Sequence, residues 1–306
     1  MSAEAPADLG TAPTEVTMAP GDVTGGHVMR GRGHRRKYGA RRLPPHVRRA
    51  PGLPGRSGSM LKTMFAPQGP TLRELAVQAL SSVERGYDLL APKFDRTPFR
   101  TPDAVLTPVS RALHGLGPFD SGLDLCCGTG AGMGVLRQVC RERVTGVDLS
   151  AGMLAAGRAR AGVPAAAPRV EWVRAEALAL PFGPVFDLAV NFGAFGHFLP
   201  RERPELFAQV HSVLRPGGRF VFPIAAPARP GSRGYWTLLA FDAAMRVRNA
   251  LWHPSFVMYY RTFRLADVRV ELTRTGFDVE LLALPELGRR PDGSPRCRLV
   301  VATRSR

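Results

Sequence analysis

The chain has 306 residues, a formal net charge of +17 and 44% hydrophobic residues. This length suits one large domain or two modest ones, and the apolar fraction is ordinary for a globular protein with a full core. No run of 18 apolar residues occurs, so no membrane-spanning helix is expected, and the N-terminus lacks the pattern of a secretory signal. The four cysteines form no C-x-x-C pair, which favours a reduced, cytoplasmic protein without a metal site or a disulfide framework.

The positive charge raises the question of nucleic-acid binding. Residues 1–59 hold ten Lys or Arg and four Asp or Glu, whereas the remaining excess is arginine scattered among acidic residues. The same segment is rich in Pro, Gly, Ala and Arg and has no apolar periodicity, which predicts disorder. We therefore expect a disordered basic extension over 1–59 and a folded domain over 60–306. A nucleic-acid partner is left open only through this basic tail.

The apolar spacing after the extension predicts alternating helices and strands. A helix is predicted over Thr71–Val83, as a lid, and a second over 102–116. Predicted strands then cover 122–126, 143–148, 169–174, 185–191 and 218–224, with helices over 132–140, 150–161 and 201–214 between them. Alternation of this kind is typical of a parallel sheet with helices on both faces.

The C-terminal part of the chain has a different pattern. After a helix over 265–275, strands over Phe277–Leu284 and 296–304 are separated by a short loop, so they should pair antiparallel. Residues 228–264 form a longer connection than a bare crossover needs, and we interpret them as a substrate-side insertion. The predicted fold is an α/β protein with a seven-stranded, mostly parallel sheet and an antiparallel last strand.

The stretch LDLCCGTGAGMG, which begins at residue 123, takes a strand through a glycine-rich loop into a helix. A dinucleotide fingerprint requires G-x-G-x-x-G, but here Gly128 and Gly130 are followed by Met133 at the third position. Asp124, at the end of the strand, would repel a pyrophosphate and suits a ligand with an ammonium group. Asp148 ends the next strand, at the distance from Gly128 where an acidic residue meets a ribose diol.

Five ordered motifs carry a family resemblance. LDLCCGTG, VTGVDLSAGML, EWVRAEALALPF, FDLAVNFGAFGHF and LRPGGRFVF together resemble the small-molecule, class I (Rossmann-like) methyltransferases of the type 11/25 domain family, over about residues 123–222. The resemblance implies a Rossmann-like fold, S-adenosylmethionine (SAM) as the cofactor, and methyl transfer to a small molecule. SAM carries an ammonium group, a sulfonium and no phosphate.

The resemblance also implies roles for particular residues. Asp124 matches the acid near the methionine amino group, and Asp148 matches the acid that binds the ribose. Two positions depart from the family pattern. Cys126 stands where the family often has glycine, and Glu176 stands where it often has aspartate. The predicted cofactor-binding residues are Asp124, Cys126, Gly128, Thr129, Gly130, Asp148, Leu149, Met153, Glu176, Ala177 and Asn191.

His197 follows the fourth strand on the side of the sheet where ligands gather, and it is our candidate general base. A histidine that only caps or packs is the alternative interpretation. The aromatic residues Phe195, Trp252, Tyr259 and Tyr260 are predicted to line an apolar acceptor pocket. The alternative interpretation is that these aromatic residues belong to a packing element that covers the sheet.

Three other functions stay open on the sequence. A nucleic-acid methyltransferase is disfavoured because NFGAFGHF lacks an Asn/Asp-Pro-Pro-aromatic motif and a Pro-Cys nucleophile. An NAD-dependent oxidoreductase is disfavoured by Met133 and Asp124, and a cofactor-binding protein without catalysis is the third alternative. The sequence favours a SAM-dependent methyltransferase acting on a small, partly lipophilic or aromatic acceptor.

Overall fold

The core of the fold is a sheet whose order places the ends of β1, β2 and β4 side by side. The computed structural model describes residues 69–162 and 168–305, so the predicted extension over 1–59 and its boundary lie outside the described residues. Within the described part, the strands are β1 (Phe119–Leu125), β2 (Cys140–Asp148), β3 (Arg169–Arg174), β4 (Phe186–Val190), β5 (Leu214–Ala225), β6 (Phe277–Ala283) and β7 (Cys297–Arg304). They form one seven-stranded sheet in the order β3-β2-β1-β4-β5-β7-β6.

The pairing of the strands confirms the predicted mixed sheet. β1 pairs in parallel with β2 and β4, β2 with β3, and β4 with β5. β7 is inserted between β5 and β6 and pairs antiparallel with both. The connection from β6 to β7 runs over residues 284–296, and within it the antiparallel bridge between Arg289 and Pro295 shows that the chain folds back on itself.

The helices of the described part agree with the sequence pattern apart from one break. They are α1 (Leu72–Leu80), α2 (Val83–Leu90), α3 (Asp103–Leu116), α4 (Ala131–Val139), α5 (Ala151–Ala161), α6 (Arg203–Val213), α7 (Arg233–Leu251) and α8 (Leu265–Arg274). The single helix expected over Thr71–Val83 ends instead at Leu80. Ser81 and Ser82 are extended, and the Ser82 hydroxyl caps α2 by accepting a hydrogen bond from the Arg85 N–H.

Alternation along the strands gives the sheet two apolar faces. Leu123 and Leu125 of β1 contact the cluster that contains Phe186, Phe207 and Phe220. Gly122 and Asp124 lie on the opposite face of β1, because successive side chains of a strand point to opposite sides. The second cluster, built on α3 and α4, covers that face. Asp124 is therefore a carboxylate on a face that is otherwise apolar.

Two glycines make room for Trp172 of β3. A side-chain carbon at Gly157, in α5, would lie 2.5 Å from the Trp172 ring, and one at Gly130 would also lie 2.5 Å from it. Gly130 has φ +89° and precedes α4, so its backbone conformation also favours glycine. The indole thus packs where the glycine loop meets α5.

We expect Gly157→Ala to lower the free energy of unfolding by about 1–3 kcal/mol, because the added methyl overlaps the indole of Trp172. The matched control is Gly134→Ala in α4, where no described atom lies within 4 Å of the added carbon. This control should raise the free energy of unfolding by about 0.5–1 kcal/mol, as alanine replaces glycine inside a helix. Urea unfolding measures both values, and stabilisation by both variants would contradict this packing.

Candidate active site

The described chain has a cavity where the carboxyl ends of β1, β2 and β4 meet, the place where open α/β sheets bind ligands. Its volume is about 320 Å³. A recess of about 50 Å³ adjoins it and shares with it the wall residues Phe94, Phe99, Cys126, Gly128 and Phe192. The larger space is called the cavity below, and the smaller one, which Asp124 lines, is called the recess.

Most of the predicted cofactor residues meet at these two spaces. The cavity is lined by Cys126, Gly128, Asp148, Leu149, Met153, Glu176, Ala177 and the candidate base His197. The recess is lined by Asp124, Cys126, Gly128 and Thr129. Residues that are up to 73 positions apart in the sequence therefore face one continuous space.

Asp124 is a buried carboxylate with an open hydrogen-bonding position. It is 1% exposed, and no described residue donates a hydrogen bond to its Oδ2 atom. Burial, followed by the nearby charge of Asp148, raises its pKa well above the ordinary value, and the backbone N–H of Met133 partly offsets this. A buried polar atom without a partner is costly, so this oxygen is suited to a cationic donor on a ligand.

The approach to Asp124 depends on Gly132 in the first turn of α4. A side-chain carbon at Gly132 would lie 2.5 Å from Asp124 Oδ2 and 2.6 Å from the Phe192 ring. Any larger residue would therefore displace the carboxylate from the recess.

Asp148 joins the two loops that surround the cavity. Its Oδ2 accepts a hydrogen bond from the Gly128 N–H at 2.8 Å, and its Oδ1 accepts one from the Ser150 N–H at 2.9 Å. Burial raises the pKa of this carboxyl, and the same two backbone donors oppose the rise. Each carboxylate oxygen can accept two hydrogen bonds, so Asp148 can also accept from a diol in the cavity.

Cys126 adopts a backbone conformation that explains why this position is often glycine. Its φ is +56°, the left-handed region that is strained for residues with a Cβ atom. Burial raises the pKa of its thiol well above the ordinary value, so the small side chain is uncharged at the wall of both spaces.

The structure does not bring Asn191 or Phe195 to the cavity wall. Asn191 is fully buried, where it donates to the Leu125 carbonyl at 2.9 Å and accepts from the Ala194 N–H at 3.2 Å. It therefore supports the loop after β4 from behind. The Phe195 ring stacks on Phe263 at a centroid distance of 3.9 Å and belongs to the core.

The predicted aromatic residues of the insertion also lie away from the cavity lining. Trp252 and Tyr260 are 51% and 42% exposed. Tyr259 is buried, and its hydroxyl accepts a hydrogen bond from Asn249 Nδ2 at 2.9 Å. Contact of these side chains with an acceptor stays a prediction, whereas Val257 is the residue of this segment that lines the cavity.

His197 forms a dyad with Tyr87, a residue that the sequence analysis missed. His197 Nδ1 lies 2.7 Å from the Val257 carbonyl oxygen, which can only accept, so Nδ1 carries the proton. Nε2 then accepts from the Tyr87 hydroxyl, 2.8 Å away. Burial lowers the pKa of His197 and raises that of Tyr87, so both groups are neutral near pH 7.

Two aspartates fasten a lid to the loops of the site. Asp88, in α2, accepts from the Ser150 hydroxyl at 2.6 Å and the Gly152 N–H at 2.8 Å. Asp95, in the 3₁₀ turn Ala91–Arg96, accepts from the Thr129 hydroxyl at 2.5 Å and pairs with Arg160. The lid is thus α2 and the turn after it, rather than α1. These contacts join residues 34 to 65 positions apart, and such pairs leave no periodic signal in the sequence.

The comparisons with known proteins agree with this geometry. Residues 123–218 match the model of the family described as a methyltransferase domain. The 2-phytyl-1,4-naphtoquinone methyltransferase of Thermosynechococcus vestitus is 38% identical over 99 residues, which cover 32% of this chain and 42% of that protein. The ubiquinone/menaquinone biosynthesis C-methyltransferase UbiE of Roseobacter denitrificans is 32% identical over 133 residues, or 42% and 52% of the two chains. The chain thus spans about half the length of these curated relatives.

A solved structure shows the same fold at low sequence identity. A chain from the complex of the Haloferax volcanii Trm112 methyltransferase activator with a methyltransferase superposes with a TM-score of 0.54 at 16% identity, covering 74% of this chain and 98% of that one. The fold, the ordered motifs and the family match agree. Residues 123–218 match the methyltransferase domain family, and the sheet that contains them has the Rossmann-like fold of class I methyltransferases.

Proposed function

We propose that the protein is a SAM-dependent methyltransferase acting on a small acceptor with a flat, lipophilic part. The observation that carries this proposal is the unpartnered Oδ2 atom of buried Asp124, at the end of β1 and beside the glycine loop. The match of residues 123–218 to a methyltransferase domain supports the same reaction.

The residues of the recess fit both charges of an amino acid. Asp124 supplies an acceptor for an ammonium group, and the Arg100 side chain lines the same recess and would face an α-carboxylate. A carboxylate at this depth would repel a pyrophosphate, which argues against a dinucleotide. Asp148 would hold a ribose diol, and Leu149 and Met153, which line the cavity beside it, would contact a flat base.

The dyad supplies a route for a proton when the acceptor must lose one. When bound, SAM supplies an activated methyl group on its sulfonium. The Tyr87 hydroxyl would take the acceptor's proton as its own proton passes to Nε2 of His197. The imidazolium that results keeps its Nδ1–H hydrogen bond to the Val257 carbonyl. No other group need change its protonation state.

The wall of the cavity indicates the class of acceptor. Phe94, Phe99, Phe192, Phe198 and Val257 give it a largely apolar lining that excludes water. Two of the relatives are named for quinone-type compounds, which combine a flat ring with a long apolar chain. We infer an acceptor of similar chemistry, with an ionisable hydroxyl next to the dyad.

We further propose a cytoplasmic location. Cys126, Cys127, Cys140 and Cys297 are free thiols in the structure, and three of them are buried in its core. This use of cysteine is typical of a reducing compartment. None of the described helices has the length and apolar content to cross a membrane.

Calorimetric titration tests the cofactor. We expect saturable binding of SAM and S-adenosylhomocysteine and no binding of NAD, with the affinity for both adenosyl ligands at least tenfold lower in Asp148→Ala. Asp278→Ala, on the edge strand β6, is the control and should bind like the wild type. Binding of NAD, or of none of the three, would remove the basis for a methyltransferase.

Asp124→Asn should separate stability from binding. At pH 7 and without ligand, we expect the variant to be more stable by about 1–2 kcal/mol, because burial raises the pKa of the Asp124 carboxyl, whereas the asparagine amide has no charge to bury. Its affinity for SAM should fall at least tenfold.

The pH dependence of folding stability shows whether the Asp124 carboxyl destabilises the folded protein. A raised pKa means that the folded protein binds the proton more tightly, so wild-type stability falls as pH rises from about 4 through the raised pKa of Asp124. The Asp124→Asn variant lacks this loss, whereas the control Asp120→Asn on the same strand keeps it. Thermal melts from pH 4 to 8 measure the difference, and parallel curves for the wild type and Asp124→Asn would refute this assignment.

Substitution of either dyad residue should slow turnover without changing the binding of the cofactor. With 1,4-naphthohydroquinones as acceptors and S-adenosylhomocysteine formation as the readout, Tyr87→Phe and His197→Gln should each lower kcat by about 10²–10⁴. Burial lowers the pKa of His197, so the wild-type rate should hold through pH 6.5 and decline only at more acid pH. Tyr235→Phe, in α7 and outside the cavity lining, is the control, and unchanged kcat in both dyad variants would exclude the role.

A further inference from the structure

Helix α7 exposes an apolar stripe along its whole length. Of its nineteen residues, all of which are described, Asp242 alone is buried. Trp236, Val247 and Leu251 are 58%, 58% and 78% exposed, and their spacing of 11 and 4 residues places them on one face. Trp252, directly after the helix, is 51% exposed. Large contiguous apolar surfaces on a folded chain mark sites of interaction.

The C-terminal end of α1 extends this surface. The Arg248 guanidinium of α7 donates hydrogen bonds to the carbonyls of Ala79 at 2.7 Å and Ser81 at 3.0 Å, so the two helix ends are adjacent. Val77 and Leu80 of α1 are 45% and 47% exposed. The stripe of α7, Trp252 and these two residues together are called the α7 surface.

The exposed charges of the segment that carries α7 have one sign. Residues 228–264 contain six arginines and a single acidic residue, Asp242. Asp242 is buried, where it accepts hydrogen bonds from the Tyr260 N–H at 2.9 Å and the Arg261 N–H at 3.2 Å. The charge that this segment presents outward is therefore positive.

We propose that the α7 surface docks on an anionic lipid bilayer, with α7 lying in the plane of the interface. Interfacial helices carry Trp and Leu on the face that meets the lipid and Arg beside it, and the exposed face of α7 has these residue types. Positive charge attracts it to anionic headgroups, and each arginine near the surface adds to this attraction. A second copy of the same cationic surface would be repelled, so a bilayer fits better than self-association.

The same helix positions the segment that contributes Val257 to the cavity lining. The side-chain amide of Asn249, in α7, makes two hydrogen bonds with the backbone of Phe256. It donates to the carbonyl at 3.0 Å and accepts from the N–H at 2.9 Å. The Phe256 ring stacks on Tyr87, and the next residue, Val257, lines the cavity and fixes His197. A bilayer at α7 would thus lie beside the acceptor cavity. Delivery of a bilayer-dissolved acceptor rests on the proposed function, whereas docking itself does not.

Sedimentation with vesicles tests the docking on the full chain without cofactor. We expect the wild type to pellet with phosphatidylglycerol vesicles and only weakly with phosphatidylcholine vesicles. The triple variant Trp236→Ser, Val247→Ser, Leu251→Ser should partition at least tenfold less. The control is Val270→Ser in α8, which is 49% exposed in the wild type and should pellet like it. Any contribution of the basic residues 1–59 is the same in all three proteins.

The outcomes separate docking from catalysis. Thermal melting and SAM titration of the triple variant should match those of the wild type, which shows that the variant folds and keeps its cofactor site. Equal pelleting of the wild type and the triple variant, or no pelleting of either, overturns the lipid proposal. A wild-type dimer that the triple variant loses would assign the surface to a second copy and overturn it as well. None of these results depends on whether the protein transfers a methyl group.

Discussion

The arrangement of the site depends on the pair of hydrogen bonds that Asp148 accepts, one from each loop. Its carboxylate holds the Gly128 N–H after β1 and the Ser150 N–H after β2, so the two loops have a fixed separation. The lid is fastened to the same loops by two further aspartates. Asp88 accepts hydrogen bonds from residues at the start of α5, and Asp95 accepts one from Thr129. The loops, the lid and the cavity between them are thereby one connected unit.

The electrostatics of the site oppose those of the chain as a whole. A protein of net charge +17 concentrates Asp88, Asp95, Asp124 and Asp148 around one space. Three of these carboxylates have donors within the structure, whereas Asp124 keeps an oxygen without a described partner. The location of the open carboxylate, rather than the total charge, indicates what kind of ligand the protein can hold.

Local pattern was enough to predict the strands and the glycine loop, because most of the strands are apolar or alternating runs and Gly128 and Gly130 have positive φ angles, which favour glycine. The contact of Tyr87 with His197 joins residues 110 positions apart, and no periodicity reports such a pair. The sequence leaves open, for a related reason, which aromatic residues of the insertion contact an acceptor. Their sequence shows that they are apolar, but only the packing of Asn249, Phe256 and Tyr259 decides which of them face the cavity.

The bond between Tyr87 and His197 joins the lid to the sheet, since Tyr87 belongs to α2 and His197 follows β4. Any opening of α2 wide enough to exchange ligands must separate these two rings. The hydrogen bond between the Tyr87 hydroxyl and His197 Nε2 therefore forms only when α2 lies against the loop after β4, so one contact both completes the cavity wall and sets the environment of His197.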